Sequence, residues 1–111
     1  MNRPAACALG YVEMHSALAR MAAGKRLSSQ EHKTKLTEFE ELWRAIEVLA
    51  VDESLLSIAA ELAGRHSLRA YDAVHLAAAI TFAPDRALTF ACWDRDLSNA
   101  AVDEGFQLLP R

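Results

Sequence analysis

Three carboxylates, Glu13, Asp72 and Asp94, sit where a short apolar run gives way to a helical pattern or inside a helix that is otherwise apolar. Asp72 is the sharpest of them. Residues 70–80, from Ala70 to Ile80, are apolar nearly all round apart from Asp72 and His75, and such a helix is normally buried. An ionised carboxylate there must be paired, hydrogen-bonded or metal-bound. Carboxylates that converge in one cleft repel each other, which raises their pKa values unless a hard cation neutralises them, and oxygen ligands suit Mg²⁺ or Mn²⁺. The chemistry such a cluster supports best is metal-assisted attack of water on a phosphodiester.

Each residue also has a plainer reading. Glu13 near the start of a helix favours the helix dipole, and Asp94 can cap the short helix that follows it. Asp96 reads first as a structural residue of that turn. His75 lies one helical turn after Asp72 and fits a core or supporting hydrogen-bonding role better than a metal ligand. His15 and His66 read as solvent-side residues, and Trp43 and Trp93 as packing. Arg65, His66 and Arg69 precede Asp72 closely enough to make a small basic patch for phosphates, although a solvated helix end is the commoner explanation.

The elements that must position these groups alternate. Residues 5–9 form a short apolar run, and Tyr11, Met14, Leu18 and Met21 then recur at helical spacing up to Gly24. Ser28-Ser29-Gln30-Glu31 is a capping box that opens an amphipathic helix with Leu36, Phe39 and Trp43 on one stripe. Residues 46–51 are short and β-branched, and Asp52 caps a helix lined by Leu55, Ile58, Ala59 and Leu62 that Gly64 is expected to stop. The apolar helix of residues 69–82 ends at Pro84. A strand over 87–93, a short helix around Leu97, Ala100 and Ala101, and a last strand over 106–109 complete the chain. This order predicts an α/β layer architecture with a small, mostly parallel sheet. Sites in such sheets form outside the carboxyl ends of strands, where Glu13, Asp72 and Asp94 would face one rim.

With 111 residues, the chain makes one domain with one core. A net charge of −3 gives no global basic field, so contact with nucleic acid has to rely on a local patch. Cys7 and Cys92 fall in apolar runs and read as reduced, and no segment has the length of a membrane span, so the expected compartment is the cytoplasm.

At these residues the chain resembles the PIN-domain family, and within it the toxins of VapBC-type toxin–antitoxin pairs. The resemblance is carried by Tyr11-Val12-Glu13 at the start of a helix, by residues 68–77 around Arg69-Ala70-Tyr71-Asp72-Ala73, and by residues 89–97 around Trp93-Asp94-Arg95-Asp96, followed by Ala100-Ala101 and Gly105-Phe106. It implies a PIN-like three-layer fold, an acidic Mg²⁺ or Mn²⁺ site and endoribonuclease activity on RNA. Glu13 and Asp72 match two acidic positions of the family, Asp94 matches the acid that closes its fourth strand, and Asp96 is an auxiliary acid. A cognate antitoxin is an implied partner.

One departure matters. A PIN domain opens with a central strand that ends in Asp and is followed by two helices, and nothing in residues 1–111 matches that segment. The chain is therefore expected to be a single PIN-like domain lacking the first strand, with activity impaired by loss of the first acid. The alternative is a catalytically inert PIN-derived module that binds a partner or oligomerises. The strands beside the empty slot must pair directly or be completed by a second chain. The expectation is a homodimer or larger homo-oligomer, with Tyr11, Met14 and Leu18 at or near the interface.

Overall fold

The computed structural model describes residues 4–92 and 94–110. Trp93 lies outside them. The element order is β1 (Ala5–Cys7), α1 (Leu9–Ala23), α2 (Ser29–Ala45), β2 (Glu47–Leu49), α3 (Glu53–His66), α4 (Ala70–Phe82), β3 (Thr89–Phe90), α5 (Arg95–Asp103) and β4 (Gln107–Leu108). The mixed α/β class read from the sequence is what forms.

Local chemistry sets several boundaries. Ser28 and Glu31 complete the capping box in both directions, at 3.0 and 2.8 Å, and the Asp52 side chain accepts from the Leu55 amide at 2.8 Å. Gly64 does not stop α3: the helix runs on to His66, and Ser67 adopts the left-handed conformation that ends it (φ 54°). A left-handed serine carries a steric cost that glycine would not.

Helix α4 is the structural axis. It packs against α3, β1 and α5, and its Leu76 and Ala77 are fully buried, with Leu76 contributing about 2–3 kcal/mol of apolar burial. Ala59, Leu62, Phe90, Leu97, Ala101 and Phe106 close around it. Helices α1 and α2 form a separate hairpin whose contact is aromatic: Tyr11, Phe39 and Trp43 lie with ring centroids 5.5–5.9 Å apart. Trp43 is packing, as expected.

The expected single sheet is instead two parallel pairs, β1 with β2 and β3 with β4. Pro4 and Ala8 bond to β2, so strand alternation turns the N–H and C=O groups of Ala5 and Cys7 the other way. They face a cleft of about 350 Å³ walled by β1 and β3 and floored by His75, Ala78, Ala79 and Phe82 of α4. The two half-sheets do not close up. No strand among the described residues fills the gap between them.

The expected apolar interface also changes. Leu18 is buried, and Tyr11 packs on α2 and hydrogen-bonds Glu40. Of the three residues only Met14 is exposed, beside Val12 at 63%.

Candidate functional site

The loop that leads into α4 is short and constrained. Ser67 turns the chain, Leu68 buries its side chain in the core, and Arg69 becomes the N-cap of α4 without any side-chain capping bond. Asp72 therefore occupies the third position of the helix, in its first turn, where the helix dipole favours a negative charge. It is half-buried rather than enclosed, so its place at the mouth of the apolar helix gives it access to solvent.

Asp94 arrives from the other half-sheet. It follows β3 and is the N-cap of α5, with its Oδ1 accepting from the Asp96 amide at 3.1 Å. The capping role read from the sequence is real, and it fixes the orientation of the carboxyl group. Asp72 and Asp94 come within hydrogen-bonding reach of each other. Burial pushes the Asp72 carboxyl above its ordinary range, and the neighbouring Asp94 pushes it further, against the opposing charge of Arg69. Around the pair lies a polar pocket of about 320 Å³ lined by Ser67, Leu68, Arg69, Asp72, Asp94 and Asp96. It opens beyond the carboxyl end of β3, the position a parallel sheet reserves for ligands.

Helix α1 begins at Leu9, so Glu13 lies in its second turn, exposed, and its negative charge acts on both Tyr71 and Asp72. It does not line the pocket. Among the described residues no three His, Cys, Asp or Glu side chains approach closely enough to enclose a metal. Asp96 is on the pocket rim with its side chain exposed.

His75 is not a partner of Asp72. Its ring stacks on Tyr71 (centroids 6.1 Å apart, planes 9° apart) and packs on Phe90 at 4.9 Å, and burial lowers its pKa against a hydrogen bond with the Ala91 backbone. Two histidines read as solvent-side are held by acids. His15 bonds Glu40 at 2.9 Å, and His66, 11% exposed, bonds Glu104 at 2.8 Å. Arg65 binds the same Glu104 at 2.6 Å, so the basic patch expected from Arg65, His66 and Arg69 divides. Two of its members staple α3 to the end of α5, and Arg69 alone faces the carboxylates. Nothing local to residues 65–69 signals Glu104, which is 38 residues away.

The chain matches the PIN domain family model over residues 2–101. It is 34% identical over 102 residues to ribonuclease VapC45 of Mycobacterium tuberculosis (strain CDC 1551 / Oshkosh), an alignment that covers 92% of this chain and 70% of that relative. Ribonuclease VapC49 of Mycobacterium tuberculosis (strain ATCC 25618 / H37Rv) gives the same identity and coverage. Two parallel half-sheets around a buried helix, an acidic pair at the carboxyl end of β3 and these matches make one conclusion: this chain belongs to the PIN-domain family.

Proposed function

We propose that this protein is a VapC-like, metal-dependent endoribonuclease that hydrolyses RNA phosphodiesters, with Asp72 and Asp94 as its working pair. The observation that carries the reading is the approach of these two carboxyls in a polar pocket. The donor set fits the implied cation: all its side-chain ligands are hard oxygens, and Mg²⁺ or Mn²⁺ commonly binds one or two carboxylates and completes its shell with water and substrate phosphate. Asp72 and Asp94 would hold it, with Asp96 contributing charge from the rim and Glu13 adding negative charge from α1. When bound, the ion would supply an activated water and offset phosphate charge. The chain's own part is to orient Asp94 through the α5 cap and to hold Asp72 beside it on a buried helix.

A cognate antitoxin and a homodimer or larger homo-oligomer belong to the same proposal. The half-paired β1 and β3 and the exposed Val12 and Met14 support association. That no three His, Cys, Asp or Glu side chains cluster around a metal position among the described residues favours a second reading, an inert PIN-derived module that keeps the fold to bind a partner.

A ribonuclease assay titrated with Mg²⁺ and Mn²⁺, with Asp72→Asn purified in parallel, separates the two. Cleavage that requires the cation and disappears in the variant supports the nuclease. Equal residual cleavage in both proteins leaves the inert module.

A further inference from the structure

Three acids line the pocket, and RNA is a polyanion, so a site made of carboxylates alone would repel the chain it is to bind. Among the described residues of that lining, Arg69 is the single cation. Its neighbours in sequence and type are committed elsewhere: Arg65 binds Glu61 and Glu104, and Arg86 binds the Glu104 backbone and lies over the Phe106 ring. Arg69 makes no hydrogen bond or ion pair among the described residues, although its charge reaches Asp72. A guanidinium close to carboxylates yet not joined to them keeps its planar fork of donors available for another anion.

The backbone holds it there. Ser67 is left-handed, Leu68 is 9% exposed with its side chain in the core, and α4 starts at the next residue, so Arg69 is fixed at the pocket rim between two anchored positions.

We propose that Arg69 is a substrate-binding residue whose guanidinium grips a phosphate of the RNA backbone beside Asp72 and Asp94. The proposal rests on the nuclease reading and adds to it the group that brings the polyanion to an acidic pocket. It also assigns Arg69 opposite effects on the two ligands: it attracts phosphate and repels a metal cation.

The test measures both in the full chain. Binding of a short fluorescent single-stranded RNA is followed by anisotropy across a salt series in Ca²⁺, and Mn²⁺ stabilisation is followed by melting, for wild type, Arg69→Ala and Arg69→Lys. Arg69→Ala is expected to bind RNA roughly tenfold more weakly at low salt, with the log–log salt slope reduced by about 0.7, the contribution of one phosphate contact on a single strand. Arg69→Lys is expected to keep the slope and lose part of the affinity, because the charge stays and the fork goes. The Mn²⁺ shift in Arg69→Ala is expected to equal or exceed that of wild type. An unchanged RNA affinity and slope in Arg69→Ala, with wild type binding both ligands, overturns this proposal alone; so does loss of the Mn²⁺ shift in that variant, which marks a structural role. A wild type that binds neither ligand overturns the nuclease reading and this proposal with it.

Discussion

Asp72, in the first turn of α4, and Asp94, the N-cap of α5, bring their carboxyl groups within hydrogen-bonding reach although 22 positions separate them in the chain. Neutralising one member removes the repulsion. With its pKa raised in the fold, ionised Asp72 costs stability at neutral pH, so metal-free Asp72→Asn should melt at or slightly above wild type, by less than about 1 kcal/mol after solvent screening. Calorimetry in chelator checks this, and a clear loss of stability would mean that the ionised carboxylate is a structural anchor.

The same raised pKa sets the pH at which a cation is lost. Metal binding needs the ionised form, so Mn²⁺ stabilisation should fade on acidification at a pH above that at which an ordinary aspartate protonates. Melting curves with and without Mn²⁺ across an acidic pH series read this directly. Stabilisation that persists until an ordinary aspartate would protonate would place the cation on other groups.

Glu104 has the opposite sign. Burial pushes its carboxyl up, but hydrogen bonds from His66 and Arg65 and their charge outweigh this and leave it below the ordinary range. A lowered pKa means stability that is present above the unfolded-state value and lost as pH falls through the folded-state value. Glu104→Ala should cost about 1–3 kcal/mol at neutral pH and flatten the acid limb of the stability curve. Denaturant melts at neutral and acidic pH check both effects. Nearby, Gly105 has φ 98° and a Cβ there would sit 3.3 Å from the Arg86 side chain, so Gly105→Ala should destabilise the same turn.

How far these features were legible depends on their range. Ser28 with Glu31, Asp52 with Leu55, and Asp94 with Asp96 are each two or three residues apart, and all three caps can be read from the sequence. The approach of Asp72 and Asp94 follows from strand and helix order. Glu13 is harder to place from sequence, because the first residue of α1 decides which helical turn it occupies, and periodicity does not fix that boundary. Glu104 joins His66 and Arg65 across almost two helices, and the division into two half-sheets depends on pairings between strands far apart in the chain. Neither leaves a local pattern.

Association is tested through the exposed part of α1. Sedimentation equilibrium of wild type should show a dimer or larger species at micromolar concentration, and Met14→Glu should weaken it by about 1–3 kcal/mol if this face is buried between chains. A wild type that remains a monomer would show that the cleft between β1 and β3 is left open in solution.

The central claim is that Asp72 and Asp94 hold the cation as a pair. Mn²⁺ binding followed by the loss of the free-ion signal in electron paramagnetic resonance tests it most directly, with Asp72→Asn, Asp94→Asn and Glu13→Gln compared with wild type. Asparagine caps helices as well as aspartate does, so Asp94→Asn removes charge and keeps the α5 cap. The account predicts that both asparagine variants lose Mn²⁺ binding while Glu13→Gln retains most of it. Full binding in Asp72→Asn and Asp94→Asn, or its loss in Glu13→Gln alone, would contradict the account.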